Sequence, residues 1–230
     1  MAEFLQQCGS WGVVATLAAY AAGVWVNRKT GKALFNPLLM GSIFMIVFLS
    51  CFGVPYADYK SSAQPVSWLL MPATVSLAIP LYEQMEALKK NIKAILAGIL
   101  SGVLTSLTVV LALALIFNLN HKMYVTLLPK SITTAIGMGV SEELGGAVTI
   151  TVAVIIITGV LGNMLAETLC KLFHIEEPIA KGISIGSASH AIGTAKAMEM
   201  GDVEGAMSSL SIAVAGILTV VGASIYAMFI

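Results

Sequence analysis

Charge is what this sequence has least of. Asp, Glu, Lys and Arg together make up 10% of its 230 residues, against about 25% in an average soluble domain. The 12 basic and 12 acidic side chains cancel to a net charge of zero, so no basic face is available for nucleic acid and no nucleic-acid partner is expected. Cysteine is equally sparse. Cys8, Cys51 and Cys170 are an odd number lying in or near apolar runs, which excludes a disulfide framework and fits small buried hydrophobes. No Cys/His spacing suggests a metal site, and no cofactor is implied. The opening MAEFLQQCGSW has no basic n-region, so a cleaved signal peptide is not expected.

What fills the space is hydrocarbon. Hydrophobic residues are 58% of the chain and the mean hydropathy is +0.92. Residues 4–27, 33–57, 61–82, 94–120, 144–166 and 205–230 contain no charged side chain. Each run reaches the roughly 20 residues that a spanning helix needs. The alternation of a lipid-facing barrel strand is absent. The expected fold class is an all-α integral membrane protein of seven to eight hydrophobic segments in one transmembrane domain, with the lipid bilayer as its surroundings.

Arg28, Lys29 and Lys32 follow the first segment, and Lys89, Lys90 and Lys93 follow the third. Basic loops stay cytoplasmic, which puts the N-terminus outside. Two later stretches, 124–140 and 179–200, are interrupted by Pro, Gly and charge. If both cross fully, Lys171 and Lys181 fall outside. If both are re-entrant and turn back, these lysines join the inner set, and the charge rule favours that arrangement.

A shift of 57 residues superimposes Leu70, Pro72, Ala78, Ile79, Glu86 and the Gly-Val-Leu of 102–104 on Leu127, Pro129, Ala135, Ile136, Glu143 and the Gly-Val-Leu of 159–161. A further shift of 56 places Ser131, Ala135, Ile136, Gly137, Glu143 and Gly145 on Ser187, Ala191, Ile192, Gly193, Glu199 and Gly201. The chain therefore reads as an N-terminal helix pair, 1–65, and three units, 66–121, 122–177 and 178–230. Each unit is a broken polar segment followed by a long apolar helix carrying G-(V/I)-L. Inverted repeats of this kind place broken helices around a substrate in many secondary transporters. Duplication of an inert helical hairpin would leave the same pattern without a site.

The polar groups of the broken segments are the candidate site. In LPKSITTAIGMG, Pro129 interrupts the helix beside Lys130, Ser131, Thr133 and Thr134. In SASHAIGTAKAMEMGD, Ser187, Ser189, His190, Gly193, Thr194 and Lys196 stand in an otherwise apolar stretch. Irregular backbone at membrane depth survives only when buried in protein or lining a wet cavity. Free N–H groups beside hydroxyls suit a small carboxylate. His190 is the candidate proton-coupling group; the structural alternative is a neutral histidine bonded to a backbone carbonyl. Lys130 and Lys196 offer positive charge to an anion, or else snorkel. Glu143 and Glu199 are repeat-equivalent candidate coupling acids. Asp202 and Glu204 read as N-terminal capping residues and Glu167 as a snorkelling group. Gly98, Gly102, Gly159 and Gly162 read as small faces for close helix contact. Prolines in NPLL (36–39) and MPA (71–73) imply kinks. No acid is placed to orient His190 and no nucleophile elbow is present, so no catalytic residue is read and the chain is not expected to be an enzyme.

LPKSITTAIGMG, GSASHAIGTAKAMEMGDVEGAMSSL, NPLL and PLYEQ resemble the LrgB/CidB family of membrane proteins, over about 10–230. Ser-His-x-x-Gly-Thr at 189–194 is the most specific signature. Ala135 departs from it, since many relatives carry Pro there. The resemblance implies a carrier as the first reading, with a second function as its alternative. The carrier would take small monocarboxylates such as glycolate, glycerate or pyruvate. The alternative is holin/antiholin-like control of murein hydrolases and lysis, beside a small LrgA/CidA-type membrane partner. It further points to Ser189, His190, Gly193, Thr194, Thr133 and Thr134 as site positions. A homo-oligomer fits either function.

Overall fold

The protein is described by a computed structural model covering residues 9–31, 35–76 and 78–230. The expectations that rest on the first eight residues, on Cys8 and on Lys32 lie outside the described residues. Two compact units result, Met1–Ser76 and Leu77–Ile230. Among the described residues the secondary structure is helical throughout, without strands, as expected for an all-α membrane protein.

In the first unit, α1 (Trp11–Thr30) packs along α2 (Pro37–Phe52). The contact is made by small residues. A Cβ on Gly23 would sit 2.7 Å from the Pro37 carbonyl oxygen, so only hydrogen fits there. Pro37 opens α2 at its first turn, and the Asn36 side chain accepts from Leu38 N at 2.9 Å. The kink expected from NPLL is therefore a helix start, where proline loses no hydrogen bond. Short helices follow: α3 (Tyr56–Ser62), α4 (Gln64–Trp68) and α5 (Leu70–Ser76).

The second unit begins with α6 (Ala78–Glu83), which packs on α12, and the long α7 (Met85–Ile116). Then come α8 (His121–Leu127), α9 (Thr134–Glu143), α10 (Val148–Leu172), α11 (Pro178–Met200) and α12 (Asp202–Tyr226), closed by a 3₁₀ turn at Ala227–Phe229. Among the described residues four stretches are long and apolar enough to cross a membrane: Gln64–Glu83, Met85–Ile116, Val148–Leu172 and Asp202–Phe229. Pro37–Phe52 is a shorter apolar helix.

α7 shows why these helices belong in lipid. Ile95, Ile99, Val103, Leu107, Val110 and Ala114 recur at helical spacing and are buried. The other side carries Leu96, Leu100, Leu104 and Leu113, which are exposed. A soluble helix would turn polar residues outward; a helix apolar all round faces hydrocarbon. The chain is an integral membrane protein on these grounds.

α11 is two half-helices. Ser189 (φ −133°, ψ 16°) and His190 (φ 43°, ψ −144°) leave helical geometry between them. Gly182 faces Glu204 and Gly186 faces Ser208, so the first half runs parallel to α12. Thr194 reaches Ser208 and Met198 lies on Gly205, so the second half runs antiparallel to it. α11 thus enters and leaves at the end where α12 begins. The segment 124–140 is its counterpart. Thr151 Oγ1 on α10 lies 3.0 Å from the Thr126 carbonyl oxygen on α8 and 2.7 Å from Ser141 Oγ on α9. Both arms are therefore held at one level, with 128–133 as the tip. Tyr124 Oη donates to the Tyr226 carbonyl at 2.8 Å, so this hairpin enters at the end where α12 finishes. Two re-entrant hairpins approach each other from opposite ends of the bundle.

Candidate functional site

The two hairpin tips converge on α7 and α10. Ser131 Oγ, on the first tip, lies 3.2 Å from Ser106 Oγ of α7. The first hairpin's Gly137 meets Ile155 of α10, whose carbonyl oxygen accepts from His190 Nε2 of the second hairpin at 3.0 Å. Glycine makes these approaches possible. A Cβ on Gly159 would lie 2.6 Å from His190 Cε1, and one on Gly162 would collide with Ser189 Oγ. Gly102, repeat-equivalent to Gly159, faces Ser187 on the other side of the second hairpin, and Gly216 faces Ile136 of the first. The glycine of each G-(V/I)-L therefore seats a broken segment, in line with the close-contact reading of these small residues.

The polar groups of SASHAIGT are mostly satisfied inside the protein. Ser189 Oγ donates to the Ile185 carbonyl at 3.0 Å. Thr194 Oγ1 lies 2.9 Å from the His190 carbonyl oxygen and 2.7 Å from Ser208 Oγ. Asn163 Nδ2 on α10 donates to the Ile192 carbonyl at 2.7 Å, tying the second half-helix to its neighbour. Among the described residues no buried side-chain nitrogen or oxygen lacks a partner. His190 is 3% exposed. It holds the break closed against α10 rather than facing an opening. The carbonyl partner requires Nε2 to carry a proton.

A cavity of about 850 Å³ lies elsewhere, between α7, the first tip and the outer face of the first half of α11. Its polar lining includes Ser101, Ser106, Lys130, Ser131, Ser184 and Ser187. It stretches along α7 from Asn91, beside Glu177, to Val109. Lys130 Nζ donates to Ser131 Oγ at 2.9 Å. The structure thus brings Lys130, Ser131 and Ser187 to one cavity. Ser189, His190, Gly193 and Thr194 are buried on the α10–α12 side of the same hairpin. Thr133 stands at the N-cap position of α9 without a side-chain bond to the helix, and Thr134 opens it. Neither lines the cavity.

Lys196 and Glu199 belong to a different place. Lys196 Nζ lies 3.6 Å from Glu167 and 3.1 Å from Glu199, while Lys171 Nζ pairs with Glu167 at 2.8 Å. Lys181 and Glu204 approach to 4.0 Å. These groups, with His174, ring a recess of about 500 Å³ at the end where α11 enters and leaves. Glu167 thus has two lysine partners. Asp202 and Glu204 lie in the first turn of α12 behind its cap, Gly201. Glu204 is buried there, so pairing with Lys181 replaces the capping role expected of it. Glu143 is exposed at the end of α9.

Ser106, Asn163, Ser208 and the Thr126–Ser141–Thr151 cluster were not legible as site-building residues. Asn163 alone carried a signal, as an amide inside the charge-free run 144–166. An amide in hydrocarbon needs a partner.

Residues 16–229 match the LrgB-like family. The chain is 37% identical over 221 residues to a protein named antiholin-like protein LrgB from Bacillus subtilis (strain 168), covering 96% of each chain. Proteins of the same name from Bacillus mycoides (strain KBAB4) and Bacillus cereus (strain B4264) match at the same identity and coverage. No solved structure matches.

Proposed function

The chain belongs to the LrgB-like family, and from that premise we propose that it acts as an antiholin-like membrane protein, a restraint on lytic activity in the bacterial cytoplasmic membrane. The observation that carries this reading is likeness over 96% of both chains to relatives bearing that name. A small LrgA/CidA-type membrane protein is its proposed partner. The test is autolysis of a deletion strain, with and without the gene restored. Faster lysis on deletion, reversed by the gene, supports the reading. An unchanged lysis rate removes it.

A second reading rests on a specific feature of the fold. Two re-entrant hairpins that meet from opposite ends beside a cavity are an arrangement found in many alternating-access carriers. A restraint on lysis has no evident need for them. We therefore also propose carriage of a small monocarboxylate of the glycolate, glycerate or pyruvate kind. The two readings are compatible, since control of lysis could be exerted through a transported acid. Proteoliposomes holding the pure protein test it directly. Saturable uptake of labelled glycolate or pyruvate supports a self-sufficient carrier. Uptake that needs the small partner places the carrier in a complex. Absence of uptake in both arrangements leaves the antiholin-like reading alone.

A further inference from the structure

We propose that Lys130 is the counter-cation of a small-anion site in the α7 cavity, with Ser131 as its hydroxyl partner and Ser187 as part of the facing wall, and that its single charge selects monoanions over dianions. The proposal deepens the carrier reading and rests on it.

An ammonium group has three N–H donors. Lys130 gives one to Ser131 Oγ. Among the described residues no carboxylate lies within ion-pair distance of it, whereas Lys171, Lys181 and Lys196 each have one. An ionisable side chain at membrane depth is costly unless it faces a partner or a wet cavity. Lys130 sits on a re-entrant tip that touches the middle of α7 through Ser131 and Ser106, and it lines the cavity. Its remaining donors therefore suit an anion inside that space.

The repeat adds a second argument. Ser131 and Ser187 are equivalent positions of the second and third units. They come from hairpins that enter at opposite ends, yet both line this cavity. Ser187 Oγ donates to the Ile183 carbonyl at 2.7 Å, so it contributes a wall rather than a donor, and a bound anion would still touch both hairpins at once. Charge selection follows from the lining. Lys130 is the one cation and Glu177 the one carboxylate among the described lining residues. Glu177 is exposed and its charge is screened by solvent, so beside Lys130 a monoanion is neutralised while a dianion keeps an uncompensated charge in a low-dielectric site, which is unfavourable.

The experiment uses the full chain purified in detergent at constant ionic strength. Binding of acetate, glycolate and pyruvate, of the dianion malonate and of neutral ethylene glycol is measured by calorimetry. Saturable binding is expected for at least one monoanion, at least tenfold weaker for malonate and absent for ethylene glycol. Lys130→Met should weaken it tenfold or more, and Lys130→Arg less than threefold. Equal binding by Lys130→Met, equal binding of malonate, or no saturable monoanion binding overturns the proposal. Should Lys130→Met fail to fold, amine modification of Lys130 in the unaltered protein, read by mass spectrometry, decides. Protection by the bound monoanion supports the site; equal modification with and without it overturns the site. Uptake that survives in Lys130→Met would overturn the site and leave the carrier reading standing. Monoanion binding without uptake would do the reverse.

Discussion

His190 carries the helix break in its own backbone. Its φ of 43° is in the region that costs a side-chain-bearing residue about 1–3 kcal/mol. Its ring bond to the Ile155 carbonyl oxygen and burial against Gly159 hold it there. The Ile155 carbonyl keeps its helical bond within α10, so His190→Ala removes one further hydrogen bond, worth about 0.5–1.5 kcal/mol. A lower melting temperature in detergent is expected. His190→Asn keeps a donor and tolerates positive φ, so it should fall between the two. A histidine that instead carried the coupled proton would leave a different mark. His190→Asn would then fold normally, yet its transport would no longer respond to pH, and that result would return His190 to a coupling role.

At the scale of the element, the half-helices are held by absent side chains. Gly159→Ala and Gly162→Ala each drive a methyl group into the second hairpin at His190 and Ser189. Overpacking of this kind costs about 1–3 kcal/mol, seen as reduced thermal stability. Gly139→Ala meets nothing within 4 Å and should be neutral or slightly stabilising, which makes it the internal control. Lys196→Met is expected to matter less than either clash. Its partner Glu199 is largely exposed, and exposed pairs contribute about 0–1 kcal/mol. A melting-temperature change as large as that of Gly162→Ala would mean that the end recess is a structural latch rather than a solvated rim.

For the whole molecule, the hairpins sort the lysines. Gly98 and Gly102 of α7 face Ile183 and Ser187 in register, so α7 runs parallel to the first half of α11 and begins at the same end. Lys89, Lys90 and Lys93 therefore share an end with Lys171, Lys181 and Lys196. Lys122 precedes Tyr124, which bonds to the far end of α12. By the charge rule the lysine-rich end is cytoplasmic. In a cysteine-free background, Lys93→Cys and Lys171→Cys should label with an impermeant maleimide in inverted vesicles, and Lys122→Cys in spheroplasts. Labelling of Lys93→Cys and Lys171→Cys from opposite sides would break the re-entrant topology.

Membrane residence, helical class and the stretches that would be broken were legible in the sequence alone, because each depends on local composition, whereas the exact break at Ser189–His190 is set by contacts with α10. Charge-free runs, Pro129 and the glycines around 182–193 act on their own segments. The charge rule also pointed to the hairpins, since it sums over loops without needing their contacts. Which polar groups face a cavity is a matter of rotation about each half-helix, and only the tertiary structure decided it. Ser187 and Ser189 are two residues apart, so they point to different sides of one helix. The former lines the α7 cavity, and the latter is sealed against Gly162. The same packing turned His190 inward to a backbone carbonyl and set Lys130 in a cavity that hydroxyls of other repeats also line.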